Sequence, residues 1–148
     1  MPVIDVSYPK STFTVNDKQK IAMWFSDKVI NWEGWSDDNT TKKADTIAWS
    51  TFNEHNQDDI FVGGEPTNRK LIRVSITTPA GAVSDKLKKI IIEEVDELIM
   101  SLLSNGDAIE CQDRVWVTFI DLREGDWGSE GKIVTLDNLI QLISGNAG

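Results

Sequence analysis

A single cysteine, Cys111, stands in the 148 residues, so no internal disulfide can staple the fold. A chain without a disulfide framework fits a reducing compartment, and the cytoplasm is the expected location. There is also one histidine, His55, in a polar stretch, so neither a histidine-rich metal cage nor a Ser/His triad can be built around it. No apolar run is long enough to span a bilayer, and no basic segment with an apolar stretch behind it marks an export signal. Cations are in the minority: 15 Lys and Arg against 24 Asp and Glu leave a net charge of −9. Without a Lys/Arg stripe, such a chain is not expected to follow nucleic-acid phosphates or settle on an anionic membrane. Gly63-Gly64 lacks the spacing of a phosphate-binding loop. What remains is an ordinary globular composition and enough length for one domain, residues 1–148, with a real core.

The first seven residues, MPVIDVS, place a proline directly ahead of an apparent strand, Val3-Ile4-Asp5-Val6. Proline has no N–H to donate and is confined to strand edges or first residues. Pro2 is either a tolerated strand start or a residue whose nitrogen matters once Met1 is removed.

Superposing the sequence on itself at a constant offset of 68 places Ile4-Asp5-Val6-Ser7 on Ile72-Arg73-Val74-Ser75. The same offset puts Val15-Asn16-Asp17-Lys18 on Val83-Ser84-Asp85-Lys86, and Asp45 on Asp113. Three pieces aligned without a gap indicate a duplicated unit. In the first unit, residues 3–67, Val3 to Tyr8 reads as a strand and Asn16 as an N-cap with Val15 as its staple. A helical stripe follows at Ile21, Trp24, Phe25, Val29 and Trp32, with Gly34 near its C-cap. Thr46 to Glu54 is the second strand. The second unit, residues 70–122, repeats this. Leu71 to Thr77 is a strand, and Ser84 caps a helix with Leu87, Ile91, Val95, Leu98 and Leu102 on one face. Asn105-Gly106 stops that helix, and Val115 to Leu122 is the last strand. Gly63-Gly64 and Pro66 mark a turn between the units, and 123–148 forms a C-terminal arm with a last helical turn or two at Leu136, Leu139, Ile140 and Ile143.

The expected class is therefore α+β: two β-α-β units side by side, giving a four-stranded sheet with both helices on one face. The other face is left bare. Trp49, Thr51, Val117 and Phe119 are its candidate residues, and large apolar groups there predict an oligomer.

A Met-Pro start on a strand, with the strand–helix–strand unit duplicated in about 150 residues, resembles the tautomerase superfamily. AWSTFNEHNQDDIFVGG (residues 48–64) looks like the second strand and turn of the cis-3-chloroacrylic acid dehalogenase family. DWGSEGKIVTLDNL (residues 126–139) looks like the C-terminal arm of the malonate semialdehyde decarboxylase family. The resemblance implies a tautomerase/MIF-like fold, a homotrimer, a small carboxylic-acid substrate and no cofactor or metal. It also makes Pro2 the catalytic group. A free α-amine titrates at about 7.7–8.0, and an apolar pocket lowers that further, which places a proton acceptor or donor near neutrality.

Asp45 falls where decarboxylase-like proteins carry a water-activating aspartate, although a cap or turn role fits it equally, with Asp113 in the matching place. The arginines that hold the substrate carboxylate in these families have no match in Thr77-Thr78-Pro79-Ala80. Arg73 and Arg69 are the nearest replacements, able to fork a carboxylate. Arg73 also takes the slot of Asp5 in the repeat, which points to a structural ion pair between the units. Arg123, at the root of the arm, is a further candidate, and Trp127 either walls the pocket or anchors the arm. The readings that remain open are an enzyme acting on a keto or enol acid, a decarboxylase or hydratase-dehalogenase of a three-carbon acid, and a non-catalytic trimer that keeps the fold.

Overall fold

The computed structural model describes residues 3–32, 47–104 and 115–144. Pro2, Gly34, Asp45, Asn105-Gly106, Cys111 and Asp113 lie outside them. In chain order the elements are β1 (Val3–Pro9), α1 (Val15–Trp32), β2 (Trp49–His55), a turn of 3₁₀ helix (Gln57–Asp59), β3 (Phe61–Val62) and β4 (Glu65–Pro66). Then come β5 (Ile72–Pro79), α2 (Asp85–Ser104), β6 (Val115–Leu122), β7 (Gly128–Ser129), β8 (Lys132–Ile133) and α3 (Leu136–Ser144).

The four long strands form one mixed sheet in the order β2-β1-β5-β6. β1 with β2 and β5 with β6 are parallel, as a helical crossover requires, and the two units meet through the antiparallel pair β1–β5. Alternation decides the faces. Ile4, Val6 and Tyr8 on β1 and Ile72, Val74 and Ile76 on β5 are buried beneath Ile21 and Phe25 of α1 and Ile91, Val95 and Ile99 of α2. Those helical positions recur at intervals of four, so one stripe of each helix covers the sheet.

The repeat is real in space, but no single offset describes it. An offset of 70 relates Pro9 to Pro79, Thr14 to Ser84 and Ile21 to Ile91, whereas 67 relates Trp49 to Trp116 and His55 to Leu122. Matched details support both values. Lys10 N–H donates to His55 O at 2.8 Å, and Ala80 N–H to Leu122 O at 2.7 Å. Lys18 pairs with Glu54 at 3.1 Å, and Lys88 with Asp121 at 2.8 Å. The crossover in the second unit is shorter, so the uniform 68 of the sequence superposition is an intermediate value.

That slip displaced the first helix cap. Thr14, not Asn16, caps α1: Asp17 N–H donates to Thr14 Oγ1 at 3.1 Å, and Thr14 N–H returns a bond to Asp17 Oδ2 at 2.9 Å. This is a reciprocal capping box with aspartate in the glutamate position. Val15 is exposed as the first helical residue rather than a staple. Ser84 caps α2 as expected, its Oγ accepting Leu87 N–H at 3.2 Å.

The outer sheet face also needs correction. Trp49 and Thr51 lie on it, but Val117 and Phe119 pair with buried Val74 and Ile76 and pack into the core. Trp116, Thr118 and Ile120 face outward instead. Both alternations of VWVTFIDL are apolar enough to be inside, so only pairing with β5 chooses between them.

Candidate functional site

The outer face has two ends, and the antiparallel joint makes them counterparts. At one end β1 begins, with Val3 beside Thr77 of β5 and Trp49 of β2. At the other end β5 begins, with Arg73 beside Ser7 of β1 and Trp116 of β6. A tight hairpin belongs to each end: β7–β8 follows the end of β6 at the first, and β3–β4 follows β2 at the second, where Phe61 and Val62 line a cavity with Arg73 and Trp116. The hairpins are built alike. Gly63 and Gly64 have φ of 61° and 84°, and Glu130 and Gly131 have φ of 52° and 76°. Two consecutive positive values are what a two-residue I′ turn demands, and Glu130 meets that demand without glycine's freedom. A short turn precedes each hairpin: Asp59 N–H donates to Asn56 O and Asp126 N–H to Arg123 O, both at 3.0 Å.

At the β1 end stand two of the expected site residues. Arg123 leads out of β6, and its Nε donates to Asp126 Oδ2 at 2.8 Å, so this guanidinium is already committed to a carboxylate. Trp127 follows, its carbonyl accepting Val134 N–H at 2.9 Å, which ties the foot of the hairpin. Exposed Trp49 lies at this end of the sheet, beside Val3. Pro2 and Asp45 lie outside the described residues.

Arg69 and Arg73 are not at this end. Arg73 is four strand residues from Thr77, the partner of Val3, a separation of roughly 13 Å at the usual strand rise. Nor does Arg73 pair with Asp5, because Asp5 lies opposite Ser75 and accepts a hydrogen bond from Thr51 Oγ1. Both arginines line a cavity of about 620 Å³ at the β5 end, together with His55, Asp59, Phe61 and Trp116. His55 and Trp116 were not foreseen as site residues. A sequence signal for Trp116 existed, since the offset of 67 sets it on Trp49, but the offset of 68 hides it.

On the opposite side of the strands at this end, Tyr8 is buried against Phe13 with ring centroids 4.9 Å apart. Burial raises its phenol above the ordinary 10.0, against the pull of Lys18. Lys18 is in turn held above 10.5 by hydrogen bonding to Tyr8 and then to Glu54. Among the described residues, no helix is long and apolar enough to cross a membrane.

No family model and no curated protein matches this chain. Solved structures do. A fused 4-OT wild type, an asymmetric trimer, superposes with a TM-score of 0.68 at 20% identity over 88% of this chain and 94% of its own. A member of the cis-3-chloroacrylic acid dehalogenase family gives 0.67 at 12% identity over 89% of this chain and 82% of its own. A protein crystallised after inactivation by 2-oxo-3-pentynoate gives 0.66 at 13% identity over 88% and 94%. The chain has the tautomerase-superfamily fold.

Proposed function

We propose that this protein is a homotrimeric tautomerase that uses the nitrogen of Pro2, freed by removal of Met1, as a base toward a small 2-keto or enol acid. The observation that carries the reading is the entry of β1. Val3 is already paired on both sides, between Trp49 and Thr77, so β1 is fixed from its first described residue. A secondary amine there is preorganised by its own ring and by the strand. Val3 and Trp49 bring apolar surface to this end of the sheet, and apolar surroundings favour the neutral form of an amine. The neutral nitrogen takes the enol proton, and the resulting ammonium returns a proton to the neighbouring carbon, giving the keto acid with no net change in the protein. Asp45 orients the amine or a water beside it, Arg123 draws the substrate carboxylate by its free N–H groups, and Trp127 covers the substrate's apolar side. Fold relatives inactivated by a 2-oxo acid or named as 4-OT support this substrate class.

Ketonisation of phenylenolpyruvate tests the reading. The expected rate rises with pH through the Pro2 pKa, since the base form is the active one. Pro2→Ala loses much of the activity, and a preparation shown by intact mass to retain Met1 has none, because an amide nitrogen lacks a basic lone pair. Full activity with Met1 retained overturns the assignment. Decarboxylation of malonate semialdehyde is expected to be far weaker, because Arg123 alone, already held by Asp126, replaces an arginine pair. That same commitment favours the second reading, a non-catalytic trimer of this fold, which complete inactivity of the Met1-free protein would establish.

A further inference from the structure

The two ends of the sheet have exchanged attributes. Under the offset of 70 the counterpart of Pro2 is Ile72, whose nitrogen lies inside the chain and is a peptide nitrogen. No amine chemistry is possible there, yet this end holds two guanidinium groups, those of Arg69 and Arg73. Arg73 stands where the other end has Val3, and Trp116 where it has Trp49. Among the described residues, neither Arg69 nor Arg73 has a carboxylate within ion-pair distance or a side-chain hydrogen bond.

The cavity they line is built rather than incidental. Gln57 Nε2 donates to Thr67 O at 2.6 Å and to Arg69 O at 3.3 Å, and Arg69 N–H donates to Thr67 Oγ1 at 3.1 Å. These bonds fix the backbone that carries Arg69. Arg73 is fixed by the sheet, between Ser7 and Trp116. Phe61 and Trp116 supply flat apolar walls. The single lining carboxylate, Asp59, accepts from Asn56 Nδ2 at 3.3 Å, so two guanidinium groups and one carboxylate leave one positive charge for a ligand to neutralise. The volume of about 620 Å³ suits a small organic molecule.

We propose that this cavity is a second site, one that binds a small monocarboxylate with a flat apolar body, held by Arg69 and Arg73 against Trp116 and Phe61, without converting it. The site does not depend on Pro2 and stands whether or not the tautomerase reading holds.

Benzoate, which has no enol to tautomerise, is the probe, and neutral benzamide is its control. Calorimetric titration of the intact protein is expected to show saturable benzoate binding by about 20 mM and none for benzamide. Arg73→Gln and Arg69→Gln should each weaken benzoate about tenfold or more, with unchanged thermal melts. In wild-type protein labelled with ¹⁵N at tryptophan, the Trp116 indole signal should shift along the same isotherm while Trp49 does not. This second readout needs no variant. Benzoate should bind equally well to protein that retains Met1. Absence of binding, equal binding of benzamide, indifference to both arginine substitutions, a shift at Trp49 instead, or loss of binding on Met1 retention would each overturn the proposal.

Discussion

Truncating Trp49 to alanine tests what covers the outer sheet face. Its side chain is 61% exposed in the isolated chain, on the face away from both helices. A tryptophan offers roughly 150–250 Å² to burial, so about three-fifths of it, roughly 90–150 Å², remains for a neighbouring subunit to cover. At about 25 cal/mol per Å² this is roughly 2–4 kcal/mol per side chain, and a homotrimer contains three copies. The substitution should therefore lower the assembly free energy by several kcal/mol, visible as dissociation at micromolar concentrations in sedimentation velocity. Met23→Ala is the control, since Met23 is 59% exposed but lies on α1, in the opposite layer. If the Trp49 variant sediments as the wild type does down to nanomolar concentrations, this face is not the interface. If Met23→Ala dissociates the assembly instead, the helices form it.

Thr14→Ala should destabilise the fold by about 0.5–2 kcal/mol in urea melts, while Asn16→Ala, one position inside the helix, stays within about 0.5. Stability should fall as pH rises above about 10. Tyr8 and Lys18 both have raised folded pKa values, so the native state binds more protons than the unfolded chain in that window, and the stabilisation present below it is lost through it. Tyr8→Phe should flatten that alkaline fall in thermal melts recorded between pH 9 and 11, the range about the ordinary phenol value. Ser75→Asp sets a second carboxylate opposite Asp5 and should cost up to about 1 kcal/mol in urea melts at pH 7, whereas Ser75→Asn, which adds no charge, should cost less.

The class, the duplication, the strand order within each unit and the α2 cap could all be read from periodicity and punctuation. Val115 to Leu122 was located to the residue, because turn and strand chemistry change abruptly there. Two kinds of information were not in the pattern. The three-residue difference between the crossovers is invisible to a gapless superposition, and it misplaced the α1 cap and the partners of Arg73. The face chosen by β6 depends on its neighbour, because both sets of alternating residues in that strand are apolar. The arginine-lined cavity combines these failures, since it joins residues from β1, β2, β5 and β6 whose proximity follows from register alone. His55 looked inert as a lone histidine in a polar stretch, and only the strand end places it beside two guanidinium groups.

The β1–β5 joint has a symmetry of its own. Numbering β5 by the offset of 70, Val3 meets the counterpart of Ser7, Ile4 that of Val6, and Asp5 meets its own counterpart, Ser75. This is the pattern of an isologous dimer, in which the residue on the twofold axis faces a copy of itself. Two separate identical units joined this way would be forced to carry the same residue on both sides of the axis, and an aspartate there would oppose an aspartate. Linking the units in one chain removes that obligation. Asp5 can keep its carboxylate for Thr51 while Ser75 exchanges a 3.0 Å hydrogen bond with Thr118. Covalent continuity thus permits the two halves to diverge at the one position that would otherwise face its own copy.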